Sequence, residues 1–147
     1  MRIVLLTGPG GDAQGWGDMK VTESMREALE SLGHPTRIAY VAGEAEFFRL
    51  IGEPDFDIVW SALYHITPNE AFIGRNAAGT WVADVMDEHG IPYIGSDSRT
   101  MRAMIDKFET HEILAAAGVA VPAHVLLRPG DDVSAVATFP AFVKPMC

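Results

Sequence analysis

The amino-acid sequence predicts an α/β fold. An open parallel sheet flanked by helices, Rossmann-like in arrangement, is expected over residues 1–97, followed by the start of a second unit over residues 98–147. Three observations carry this. Short apolar runs stand at residues 2–7, 36–41, 56–60 and 91–96, and the first, Ile3-Val4-Leu5-Leu6, has no polar alternation, as in a strand covered on both faces of a parallel sheet. Stretches with apolar residues at helical spacing lie between the runs, and glycines close two of them. The 147 residues, 48% of them hydrophobic, suffice for about one core-bearing domain and little more.

In chain order, residues 2–7 form the first strand. A glycine-rich stretch, residues 8–18, follows before Val21, Met25, Ala28, Leu29 and Leu32 recur at helical spacing and Gly33 ends the helix. Residues 36–41 predict a second strand and 47–51 a short helix. Residues 56–60 predict a third strand after the turn at Pro54-Asp55. Residues 64–76 are polar and turn-rich. Ala78, Val82, Val85, Met86 and His89 then mark one face of a helix that stops at Gly90. A brief fourth strand is expected at 91–96. Strands alternating with helices imply parallel pairing through right-handed crossovers.

The alternation stops near Ser98, where a domain boundary is placed. Residues 100–105 and 106–117 read as two consecutive helices. Asp106 and Glu109 have capping-box spacing, with Asp in the place of Ser or Thr, and Gly118 and Pro122 supply the stop. Residues 125–127 and 141–144 are strand candidates on either side of an acidic stretch at 130–134. The second unit is expected to be incomplete, cut within or just after its lysine-bearing strand.

Eleven basic against 20 acidic residues give a net charge of −9, which argues against nucleic acid or an anionic membrane as partner. With no apolar run of spanning length and an N-terminal run too short for a signal peptide, the chain reads as cytoplasmic. A single cysteine, Cys147, excludes an internal disulfide and multi-cysteine zinc patterns.

The glycine-rich stretch satisfies a dinucleotide fingerprint at Gly8, Gly10 and Ala13, but helical periodicity begins only near Val21, too late for a helix N-terminus to meet a pyrophosphate. Two readings stand: a surface loop, or a substrate-binding loop in which Gly10 and Gly11 take part. No Gly-Lys-Ser/Thr occurs, so a P-loop is excluded. A phosphorylated receiver needs acidic residues ending the first strand and an Asp ending the third; Thr7-Gly8 and Ser61 stand there instead. Tyr64-His65 falls where the third strand ends, the region in which open α/β sheets gather ligands. Histidine there titrates near neutrality or hydrogen-bonds an anionic group; the plain alternative is a loop histidine without a role. Lys107 follows a helix cap, where a cation is unfavourable unless an anion is near. Lys144 ends an apolar strand and would be presented from a rigid element. A solvated surface lysine is the ordinary alternative for each. Trp16, Trp60 and Trp81 read as packing residues.

Four segments stand in order: Ile91-Pro92-Tyr93-Ile94-Gly95-Ser96, Met104-Ile105-Asp106-Lys107, Leu114-Ala115-Ala116-Ala117-Gly118-Val119-Ala120-Val121-Pro122, and Phe139-Pro140-Ala141-Phe142-Val143-Lys144-Pro145. In order and spacing they resemble the D-alanine–D-alanine ligases of the ATP-grasp superfamily of carboxylate-amine ligases, over essentially the whole chain. The resemblance implies a pre-ATP-grasp domain over 1–97 and the beginning of an ATP-grasp central domain over 98–147. It implies ATP and Mg²⁺ as cofactors, with Lys107 and Lys144 on ATP phosphates, and a homodimer built on the N-terminal domain. The implied reaction activates a carboxylate as an acyl phosphate, which an amine then attacks. An ammonium on a rigid element is a suitable point charge for phosphate oxygens.

Two departures from the family pattern stand out. The glutamate that such ligases carry after the first strand to hold a substrate ammonium has only Asp12 or Asp18 as a replacement. Their His-Gly and Gly-Glu-Asp-Gly after the third strand give way to Tyr64-His65 and a segment without that motif. The ATP framework is thus matched better than the amino-acid pocket, for which Gly10, Gly11, Asp18, Tyr64 and His65 are the candidates. A ligase for another amino acid or peptide, and a non-catalytic α/β module binding a small ligand through the glycine-rich loop, remain as alternatives. In the family the metal-binding carboxylates and oxyanion-stabilising groups lie further on, so the 147-residue piece alone is expected not to turn over.

Overall fold

A computed structural model describes the chain except for residues 10, 15, 17, 53, 67–78, 137–138 and 145–147. Its elements run β1 (Ile3–Thr7), α1 (Gly11–Gln14), α2 (Met19–Ser31), β2 (Thr36–Tyr40), α3 (Glu44–Gly52), β3 (Ile58–Ser61), β4 (His65–Ile66), β5 (Thr80–Trp81), α4 (Val82–Glu88), β6 (Tyr93–Ile94), α5 (Ser98–Ile105) and α6 (Lys107–Ala116), with a 3₁₀ turn at Val133–Ala135.

Every residue of β1 is buried, because the strand has neighbours at both edges and cover on both faces. It pairs in parallel with β2 and with β3, and β3 pairs in parallel with β6, giving the order β2-β1-β3-β6. Side chains alternate across the pleat. Val4 and Leu6 join Val59 in a core with Phe47 and Ile51 of α3 and Val82, Val85 and Met86 of α4. The α2 helix packs on β1 and β2, on the side to which Leu5 points. The chain leaves β1 toward β2 and then crosses back to β3 on the other side. The two connections therefore diverge between β1 and β3, and the carboxyl ends of those strands are the place where open α/β sheets form a ligand crevice.

Local chemistry sets the helix limits. Asp18 caps α2 by accepting the Val21 N–H at 3.0 Å, and Gly33, at φ 83°, turns the chain so that its own N–H and that of His34 meet the carbonyls of Glu30 and Leu29. Asp97 caps α5 through the Thr100 N–H at 2.7 Å. Asp106 caps α6 through the Glu109 N–H at 2.9 Å, as the capping-box spacing predicts.

The structure departs from the sequence reading in three places, the first being the glycine-rich stretch expected as loop, which holds the short helix α1 (Gly11–Gln14) and passes into α2 at Met19. Residues 64–66 are not simply turn-rich: His65 and Ile66 pair antiparallel with Trp81 and Thr80. The helix expected from Ala78 therefore begins at Val82, and Ala78 itself lies outside the described residues. A two-residue ladder is too short to leave an alternation pattern. The strands expected at 125–127 and 141–144 are also absent. An apolar run becomes a strand only when another strand's edge takes its N–H and C=O groups. These segments pair with no described strand, and Val125, Leu127, Phe142 and Val143 are exposed. Lys144 accordingly stands exposed on irregular backbone, not at the end of a rigid strand. Among the described residues no helix is long and apolar enough to cross a membrane.

Candidate functional site

The crevice between β1 and β3 is built from close backbone contacts. Gly8, buried at the end of β1, comes so near β2 that a Cβ on it would lie 2.3 Å from the Val41 carbonyl oxygen. The chain then turns, with the Gly11 N–H meeting the Gly8 carbonyl at 2.9 Å, and enters the single turn of α1. Gln14, at the end of that turn, is only 4% exposed. Its Oε1 accepts the N–H of Tyr64 at 2.7 Å and of His65 at 3.0 Å. Trp16 secures the far end of the loop, donating from Nε1 to Thr22 Oγ1 at 2.9 Å and standing edge-on to Trp60 at 5.8 Å between centroids.

His65 is fully buried and neither ring nitrogen has a hydrogen-bond partner among the described residues. Burial pushes its pKa below the ordinary histidine value, because an imidazolium without a partner is costly away from water. At neutral pH the ring is uncharged. Its centroid lies 5.2 Å from that of Trp81. The Arg102 guanidinium of α5 sits 4.2 Å from the centroid of the same indole and pairs with Asp84 of α4 at 2.8 Å. Beside them, Ser61, Tyr64, Trp81, Tyr93, Ser96 and Met101 line a small cleft of about 30 Å³, room for water.

The structure ties the short helix that begins at Gly11 to Tyr64 and His65 through Gln14. Gly10 lies outside the described residues. The Asp18 carboxylate is used as the cap of α2. Lys107 is exposed at the first position of α6 and Lys144 is exposed elsewhere. Among the described residues no three metal-ligating side chains converge. Gln14 and the Trp81–Arg102 contact escape sequence reasoning. Gln14 is the one amide side chain in the glycine-rich stretch, a signal that could have marked it. No spacing rule joins residues 81 and 102.

No family model matches the chain. The D-alanine–D-alanine ligase of Aquifex aeolicus is 28% identical over 151 aligned residues, covering 99% of this chain and 47% of that protein. The vancomycin/teicoplanin A-type resistance protein VanA of Enterococcus faecium is 30% identical over 90 residues, 60% of this chain and 24% of its own length. The solved D-alanine–D-alanine ligase of Bacillus anthracis in complex with ATP superposes with a TM-score of 0.52 at 20% identity, covering 92% of this chain and 41% of that one. In sequence and in fold the chain is D-alanine–D-alanine ligase-like, and it spans less than half the length of these three proteins.

Proposed function

We propose that this chain supplies the N-terminal part of an ATP-dependent ligase that joins a carboxylate to an amine through an acyl phosphate, of the D-alanine–D-alanine type. The observation that carries the reading is the end-to-end alignment with a D-alanine–D-alanine ligase, which leaves almost none of this chain unmatched. The domain boundary near Ser98, a cytoplasmic location and a homodimer through residues 1–97 belong to the same reading.

Within it, Lys107 and Lys144 contact the nucleotide phosphates. Lys107 stands at the first position of α6, next to the cap at which Asp106 accepts the Glu109 N–H, and its ammonium is the group offered to a phosphate there. Bound ATP supplies the phosphoryl group that activates the carboxylate. The magnesium ion that the resemblance implies has no seat among the described residues, and no step is assigned through it. Gly11, Tyr64 and His65 line the substrate crevice, and Gly10, outside the described residues, remains a substrate candidate by sequence. Asp18 contributes by fixing the start of α2 rather than by contacting substrate. A neutral, buried His65 offers one donor and one acceptor to a polar group entering the crevice and orients it without placing a charge there.

The test is phosphate release from ATP with D-alanine by the complete product of the gene that encodes this chain. Lys107→Ala and Lys144→Ala are each expected to lower it at least about tenfold, since each removes a charge-assisted contact; unchanged turnover in both variants would falsify the assignment. The unpartnered nitrogens of His65 also suit a non-catalytic module that binds a small polar ligand. Calorimetry separates the readings, because the module binds D-alanine or another metabolite without nucleotide and the gene product then releases no phosphate.

A further inference from the structure

We propose that Gln14 is the positioning residue of the crevice between β1 and β3: its amide oxygen fixes the main chain of Tyr64 and His65 and joins the glycine-rich loop and the end of β3 into one unit. The inference rests on the reading of that crevice as the substrate site.

The argument begins with the backbone. Where β3 leaves the sheet its N–H groups are screened from water and lose their ladder partners, so each needs another acceptor. The Ala62 N–H still reaches the Leu6 carbonyl at 2.8 Å. The Leu63 N–H turns to Ser61 Oγ at 3.0 Å, and that hydroxyl donates back to the Leu63 carbonyl at 2.7 Å. The next two N–H groups converge on Gln14 Oε1, across 50 and 51 residues of sequence. A carbonyl oxygen has two lone pairs, so one side chain completes the set from residue 62 to residue 65.

Two donors on one atom also set the orientation of the amide. The oxygen faces the strand and the NH₂ group faces away from it, with no hydrogen bond to any described residue. Tyr64 and His65 are therefore held by a side chain of the short helix that begins at Gly11. A shift of the loop moves the peptide that carries the two substrate candidates. Serine or threonine is too short to span this gap, and leucine fills the space with no acceptor. Glutamate keeps both the length and the accepting oxygen.

The test uses the 147-residue chain labelled with ¹⁵N, in wild-type, Gln14→Leu and Gln14→Glu forms, reading amide hydrogen exchange and D-alanine binding by chemical-shift titration. In Gln14→Leu the protection of the Tyr64 and His65 amides is expected to fall at least about tenfold while Val4 and Leu6 keep theirs. The D-alanine dissociation constant is expected to rise at least about tenfold. Gln14→Glu retains the protection and returns D-alanine affinity to within about threefold of wild type. If Gln14→Leu does not fold, Gln14→Asn, one methylene shorter, is expected to show the same local loss. Protection at residues 64 and 65 that survives in the Leu or Asn variant overturns the proposal, whatever D-alanine does. Failure of the glutamate to restore binding while the wild type binds also overturns it. If no form binds D-alanine but the protection is lost as described, Gln14 stands as the backbone anchor and the substrate reading of the crevice fails.

Discussion

A methyl group on Gly8 would meet the Val41 carbonyl oxygen at 2.3 Å and Leu63 Cδ1 at 3.2 Å. The leucine can yield, but the carbonyl belongs to backbone whose own N–H is bonded to Thr7, so β1 and β2 would have to part. Gly8→Ala is expected to cost about 3 kcal/mol, in the range of forced overpacking. Urea unfolding should show a lower midpoint at unchanged slope. His65 makes the opposite case. Its two unpartnered nitrogens are a standing penalty in a fully buried position. His65→Leu, similar in volume and without polar atoms, is therefore expected to leave stability at pH 7 unchanged or raise it by about 1 kcal/mol. A fall of more than about 1 kcal/mol in urea unfolding would mean that the ring makes a contact leucine cannot replace. Both residues are legible in the sequence as to place, Gly8 closing an apolar strand and His65 at the end of another. Their strain and burial depend on β2 and β5, which lie far away in the chain.

At the scale of elements, α5 is held against the sheet unit by Arg102, whose guanidinium meets Trp81 and pairs with Asp84. The side chain is about a third exposed, so solvent weakens both interactions. Arg102→Ala is expected to cost about 1 kcal/mol. Arg102→Lys should recover only part, because an ammonium keeps the ion pair and loses the planar contact. Equal stability of the alanine and wild-type proteins would show that α5 is held by its other contacts. The consecutive helices α5 and α6 are readable from capping residues, because an N-cap is a local bond across three residues. β1, β2 and β3 are readable from apolar runs. The same criterion misleads at 125–127 and 141–144, since pairing depends on an available edge and not on the run alone. It also misses β4 and β5, whose two-residue ladder is settled by the Tyr64 carbonyl meeting the Val82 N–H and by Gln14 beneath it. The candidate site divides in the same way: Tyr64 and His65 follow from the position of a strand end and Gln14 stands out as an amide among glycines, whereas the bonds between them exist only once β1 and β3 lie side by side.

The molecule as a whole carries two histidines whose protonation acts on folding in opposite directions. Burial holds His65 below its ordinary value. The unfolded chain takes up this proton near pH 6.5 and the folded one does not, so stability falls as pH drops from about 6.5 toward the folded value, by at most about 1.4 kcal/mol per pH unit. His124 is the reverse. Nδ1 lies 3.0 Å from the Pro122 carbonyl and Nε2 3.0 Å from Glu112 Oε1, two acceptors that only an imidazolium can satisfy together. The Pro122 carbonyl first, and then Glu112, raise its value. Its contribution is complete below about pH 6.5 and is lost as pH rises through the folded value. The Asp55 and Asp57 carboxylates, held down by hydrogen bonds from Arg37 and Arg2, titrate well below this window. The thermal midpoint of the chain should therefore peak near pH 6.5 when followed from pH 5 to 8.5. His65→Leu is expected to flatten the acid side and leave the alkaline side unchanged. His124→Gln is expected to do the converse, because glutamine holds one acceptor at every pH. An acid slope that persists in His65→Leu would place that proton elsewhere in the molecule, and a level alkaline side in the wild type would mean that the link from α6 to residues 122–124 adds nothing to its stability.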